Sequence, residues 1–408
     1  MFKELVKNIG PGPLVAAAFI GPGTVTVCTL AGVKFGYSLL WAMGLSIMAT
    51  VVLQEMAARV GVVTQKGLAE IIRQEINTPV FKVITVILVL SAIVIGNAAY
   101  EAGNISGGVL GLETLIGDFS LEIGTTQIKL LPLVIGILAF ILLYLGNYKM
   151  LERALIGMVI LMSLAFLITA VMTKPSFNNL LTGLFKFQSP EESLLTIIGL
   201  LGTTVVPYNL FLHAALVKEK WHKSSDLALA RKDTLIAIVL GGLVSMCIIV
   251  CAAAIQGNEI TSAADLAKAV EPLFGSFAKY FIAIGLFAAG ITSAITAPLA
   301  AAYVATGCLN WSSNMKSFKF RLVWLIVLSL GVIFASLGFK SIEVIQFAQI
   351  ANGLLLPVIV GLLIWIVNKQ AILGDYKNNW KQNLMALIIF AVVTFLGLRT
   401  VLKVLVII

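Results

Sequence analysis

Apolar runs of about twenty residues, parted by short polar breaks, recur along the whole chain. Their length matches the roughly 20 residues that a helix needs to cross the hydrocarbon core of a bilayer. They predict eleven transmembrane helices, at 11–33, 38–62, 80–105, 128–147, 151–173, 193–217, 232–256, 277–308, 320–338, 342–367 and 383–406. The runs are continuous and show no ten-residue alternation, which argues against a β-barrel. The N-terminal stretch lacks a convincing cleavage site and stays apolar past Gly23, so it is expected to remain as the first span.

Two spans carry helix breakers at their middles: Gly21-Pro22-Gly23 in the first, and Pro207, with Gly202 upstream, in the sixth. Proline removes a backbone donor and blocks the carbonyl one turn earlier. Unwinding is therefore expected over Gly21–Thr24 and Thr204–Tyr208, although an ordinary kink in either helix would need the same residues. Breaks at corresponding positions of two five-helix halves are the pattern of inverted-repeat carriers that hold substrate at the midplane. The halves would be 11–173 and 193–367, with 383–406 as an eleventh helix, all within one transmembrane domain spanning 1–408.

Composition agrees with a bilayer protein. The chain is 60% hydrophobic and 12% charged, with a mean hydropathy of +1.03, against roughly 45–50% and 25% in soluble domains. A net charge of +9 invites a nucleic-acid partner, but its distribution argues otherwise: with the N-terminus inside, 19 of the 28 Lys and Arg flank cytoplasmic segments. The expected topology is N-terminus cytoplasmic and C-terminus outside, in a bacterial inner membrane. Cys28, Cys247, Cys251 and Cys308 lie in or beside apolar segments with no ligand spacing, which disfavours disulfides or zinc. No GxxxxGK[ST] motif occurs, so no ATP-binding subunit is evident within the chain, no cofactor is expected, and a gradient of H+ or Na+ would supply the energy.

The stretches IGPGPLVAAAFIGPGTVT, LQEMAARVGVVTQKGLAE and GTTVVPYNLFLHAALV, in this order, resemble the first, second and sixth helices of the Nramp divalent-metal transporters. That resemblance implies an all-α membrane protein of APC/LeuT-like fold, five helices plus five inverted, with an eleventh added. It also implies a substrate site formed by Gly21, Pro22, Gly23 and Thr24, by Thr204, Val205, Val206 and Tyr208, and by Gln349 of the tenth helix. The family's Asp-Pro-Gly-Asn reads Gly21-Pro22-Gly23-Thr24 here, and its Met-Pro-His reads Val206-Pro207-Tyr208. The positions of its acidic pair in the third helix are Asn97 and Tyr100, with Glu101 displaced by one, a turn of about 100°.

Those departures remove the charged and soft metal ligands, so no metal site is expected, and Mn2+ or Fe2+ would be held poorly. The first expectation is a small polar organic solute such as an amino acid, its anionic end on amides freed at the first break. The alternative is a divalent cation with altered selectivity, such as hydrated Mg2+; a third reading is a membrane sensor that no longer transports. Asn97 would line the site or join helices. Glu101 would titrate, pair with a substrate amine, or reach interfacial water near the outer end of its helix. His213 matches a family histidine of proton exit, and the Thr292–Ser293 pair resembles the sodium ligands of related carriers.

Overall fold

The computed structural model describes residues 20–76, 78–123, 126–146, 149–190 and 192–404. Each expected span has a helix: Pro22–Phe35, Leu40–Thr64, Pro79–Ile116, Leu131–Leu145, Lys149–Met172, Leu194–Thr204 with Pro207–Lys220, Leu227–Ala253, Ala278–Leu309, Phe318–Ser336, Ser341–Val367 and Trp380–Val404. They are called spans 1 to 11 below. The expected first half of span 1, at 11–19, and the last residues expected in spans 4 and 11 lie outside the described residues.

Span 6 is the most enclosed, with 94% of its apolar window buried, and span 11 is peripheral at 22%. The outward faces of spans 3, 4 and 11 carry exposed apolar side chains such as Phe81, Ile137 and Leu387, which face lipid in an integral membrane protein. An amphipathic helix at Phe177–Phe185 and a hairpin pairing Ser120–Ile123 with Thr126–Lys129 fill connections that the sequence left unassigned. The hairpin also explains why span 4 starts at Leu131 instead of 128.

Span 3 corrects an expected boundary. The span is expected to end at 105, yet the helix runs on through Ser106-Gly107-Gly108 to Ile116. These glycines are contact surfaces: a Cβ on Gly107 would strike Pro22 of span 1, and one on Gly103 would meet Ala348 of span 10 at 2.7 Å. Small residues let membrane helices approach closely, where side-chain packing replaces the missing hydrophobic drive. Span 3 thereby sits against spans 1, 8, 9 and 10. A π-helical turn at Ser91–Ile95 precedes its buried polar stretch.

Gly202 locks span 6 to span 10 in the same manner. Its absent Cβ would collide with the Gln349 main-chain carbonyl and lie 2.8 Å from the Gly353 amide nitrogen. Backbone cannot step aside as a flexible side chain does. Gly202→Ala is therefore expected to destabilise the protein by about 1–3 kcal/mol, read as a lowered melting temperature in detergent. An unaltered melting temperature would show that these helices are not locked.

At the opposite end of span 2, the buried Arg59 donates to the Tyr376 carbonyl at 2.8 Å, to Asn378 Oδ1 at 2.6 Å and to Glu55 Oε2 at 3.1 Å. Glu55 Oε1 in turn accepts from Arg231 Nε of span 7 at 2.8 Å. This network, which the sequence did not disclose, ties spans 2 and 7 to the segment between spans 10 and 11.

Candidate functional site

Span 1 starts its helix at Pro22, with Gly21 extended at φ −106° and ψ −172°. The break is thus narrower than Gly21–Thr24, because proline suits the first turn of a helix, where its missing N–H costs nothing. Span 6 breaks at Val205–Val206, between a helix ending at Thr204 and one beginning at Pro207. By helix geometry the last carbonyls of its first half lack partners within that helix, and they form the negative end of its dipole.

The two breaks meet directly. Thr24 Oγ1 lies 2.7 Å from Thr203 Oγ1, both fully buried. Gln349 of span 10 completes the junction: its side-chain amide occupies the place that a Cβ on Gly23 would take, and its main chain abuts Gly202. Gln349 Oε1 is buried and has no hydrogen-bond partner. Ser293 Oγ, also buried and without a partner, sits 3.0 Å from where a Gly21 Cβ would be. Spans 1, 6, 8 and 10 therefore converge on one small set of neutral oxygens.

Several expected lining residues point elsewhere. Thr204 Oγ1 donates back to the Leu200 carbonyl at 2.7 Å. Thr292 likewise donates to Ala288 and Ala289 of its own helix, each at 3.0 Å, so of the hydroxyl pair only Ser293 faces span 1. Asn97 donates to the Ala297 carbonyl of span 8 at 2.9 Å, the helix-joining alternative. Val205 and Val206 are buried apolar walls. Tyr208 packs edge-on against Tyr100, ring centroids 5.4 Å apart.

Glu101 is fully buried, which excludes the alternative that it reaches interfacial water. Its stem packs against Gly331 of span 9, where a Cβ would meet Glu101 Cγ at 2.5 Å. Glu101 Oε2 accepts from Asn104 Nδ2 at 3.2 Å, and Oε1 has no partner. His213 is equally buried: Nδ1 lies 2.8 Å from Gln54 Oε1 of span 2, and Nε2 lies 3.4 Å from Thr234 Oγ1 of span 7. It joins three spans and does not sit at an interface. Gln54, Thr203 and Thr234 were missed in the sequence; only Thr203, a hydroxyl beside the span 6 break, carried a usable signal.

Among the described residues no three His, Cys, Asp or Glu side chains come together to hold a metal ion. In this arrangement the Gln349 amide fills the space beside Gly23, and Pro22 withdraws one amide from the helix start.

Comparison with known proteins points to metal-cation transporters despite the missing cluster. A curated relative from Ralstonia nicotianae, described as the divalent metal cation transporter MntH, is 29% identical over 99% of this chain and 92% of its own length. The solved manganese transporter of Eremococcus coleocola superposes with a TM-score of 0.78 at 21% identity, covering 98% of this chain and 87% of that one. The structure of MhsT in complex with L-phenylalanine superposes with a TM-score of 0.58 at 14% identity, covering 95% and 98%. The fold is the five-plus-five inverted repeat of APC/LeuT-like transporters. The expectation of an organic solute does not hold, because the full-length relative is a metal-cation transporter and the likeness to MhsT extends to the fold alone. With residues 12–403 matching its sequence model, the chain belongs to the Natural resistance-associated macrophage protein-like (Nramp) family of membrane transporters.

Proposed function

We propose that the chain is a secondary carrier of divalent metal cations whose neutral donors favour a hard ion that keeps part of its water, Mg2+ first. Gln349 Oε1 carries this reading: a buried acceptor with no partner, placed where the broken helices meet. Around it the donors are hydroxyl oxygens of Thr24, Thr203 and Ser293 and the carbonyls that end the first half of span 6. Oxygen donors suit Mg2+, Ca2+ and Mn2+, whereas softer metals gain from thioether or imidazole. Mg2+ sheds water reluctantly and is commonly held partly through it, so a site without carboxylates suits it better than an ion that must be stripped bare. The description of the MntH relative supports the substrate class.

The test is ion accumulation in proteoliposomes that contain the purified chain. Mg2+ is expected to accumulate ahead of Mn2+, and Cd2+ least. Preference for Cd2+, or no accumulation of any divalent ion, would remove the reading.

Coupling is assigned to protons through Glu101. The carboxyl has one hydrogen bond and forms no ion pair among the described residues, and an intramembrane acid of that kind is costly unless it serves transport. Glu101→Gln keeps the shape and the Asn104 contact but cannot release a proton. It is expected to abolish accumulation driven by an imposed proton gradient while downhill Mg2+ exchange persists. Unchanged proton-driven accumulation in the variant would place coupling elsewhere. The charge asymmetry of the loops supports an N-terminus inside and a C-terminus outside, and the bacterial relative supports a cytoplasmic membrane.

A further inference from the structure

The ends of spans 1 and 10 and the segment between spans 7 and 8 enclose a vestibule of about 380 Å³, on the outer side in the topology given above. Its charged and amide walls are Glu343 and Gln346 of span 10, Glu259 of the 7–8 segment, Lys34 of span 1, and Lys340 just before span 10. Glu343 and Gln346 open a polar series that descends span 10 at three-residue intervals: Glu343, Gln346, Gln349, Asn352. Residues three apart are neighbours on a helix surface, but each step turns by about 60°, so the series forms a winding seam that passes half-way round an otherwise apolar helix between Glu343 and Asn352.

Exposure falls along this seam. The Glu343 side chain is 58% exposed and Gln346 is half-buried, whereas Gln349 and Asn352 are buried. Its inner end is unsatisfied, since Gln349 Oε1 and Asn352 Nδ2 have no partners. Side chains on a helix tilt towards its N-terminus, here the outer end, and the Gln349 amide is seated against Gly23 of span 1. The facing wall, Leu30 and Val33, belongs to the same helix as Gly23, which holds the Gln349 amide.

We propose that the vestibule is a loading site for a hydrated divalent cation, from which the ion descends the span 10 seam to Gln349. Glu343, Glu259 and Gln346 accept hydrogen bonds from the ion's water shell, and the amide oxygens below substitute for part of that shell. The proposal rests on the cation-carrier reading. Lys34 and Lys340 act against loading, and Lys340 Nζ lies 3.8 Å from Glu343 Oε1. The mixed charge of the lining therefore fixes the sign of each variant's effect.

The experiment is initial Mg2+ uptake from the external medium by cells that express the full chain and lack their own Mg2+ uptake systems. Glu343→Gln and Glu259→Gln should each raise KM about two- to fivefold at constant maximal rate, the scale of a partly exposed charge contact. Lys34→Gln and Lys340→Gln should lower it by similar factors, and all four shifts should shrink at high ionic strength. Melting temperatures of the purified variants identify any that fold poorly. Acidic variants with an unaltered KM, or acidic and lysine variants that shift it in the same direction, would overturn the loading site while leaving the carrier intact. Absence of Mg2+ uptake by the unmodified protein would remove the carrier reading and the loading site together.

Discussion

Gly23→Ala is expected to abolish most Mg2+ uptake while leaving the melting temperature nearly unaltered. A methyl group at this position lands on the side-chain amide of Gln349. That amide is the far end of a flexible side chain and can rotate away, so the fold survives and the unpartnered Oε1 acceptor leaves the junction. Gln349→Ala removes the same oxygen outright and should weaken binding by about 1–3 kcal/mol, the scale for a lost partner of a buried polar group. Residues that act through one contact are not additive. Gly23→Ala and Gln349→Ala together should therefore transport no worse than Gln349→Ala alone. Additive losses would show that Gly23 acts by another route, and normal uptake by Gly23→Ala would place the ion away from this junction.

The combined variant Gly21→Asp, Thr24→Asn and Val206→Met is expected to turn a weak Cd2+ and Mn2+ binder into a strong one. It supplies a carboxylate, an amide oxygen and a thioether at the positions that match the family's metal ligands. Charge is the largest change, because divalent ions are stripped of water far more readily by anionic oxygen, and the thioether favours the softer metal. The Asp side chain would emerge beside Ser293, whose unpartnered hydroxyl can donate to it. A gain of roughly two orders of magnitude in Cd2+ affinity, about 2.8 kcal/mol, would be read by calorimetry on purified protein. Loss of the Thr24–Thr203 hydrogen bond sets the counterweight, and the Thr24→Asn variant alone measures it. Micromolar Cd2+ binding already present in the unmodified protein would contradict the premise.

Hydropathy alone made the eleven spans legible, since bilayer thickness dictates their length and the apolar runs have no other use. Proline marked both breaks because its missing donor and its ring disfavour a helix interior, although Pro298 and Pro357 lie inside continuous helices and mark no break. Other features depend on which way a side chain faces. Thr292 and Ser293 are adjacent, hence about 100° apart around the helix, and nothing in the letters says that Ser293 turns towards span 1 while Thr292 bonds its own backbone. For Glu101 the alternative of interfacial water came from a boundary: ending span 3 at 105 put it near the surface, and continuation to Ile116 buries it. The substrate class was misjudged because loss of the charged and soft ligands was weighed above the resemblance carried by the rest of the chain, although Gln349 and the main-chain carbonyls of the break were already legible as neutral oxygen donors.

Gln349 is attached to both broken helices by different parts of itself. Its main chain is seated on Gly202 of span 6, where there is no slack, and its side chain is seated on Gly23 of span 1. Displacement of the outer half of span 10 from span 6 must open a void at Gly202 or carry residues 349–353 along with span 6. Only the second avoids the loss of close packing. Pro357, inside the same helix one turn beyond Gly353, removes the backbone hydrogen bond that would resist bending there. Span 10 is thus jointed: its outer half belongs mechanically to the broken helices, and its inner half to the helices around it.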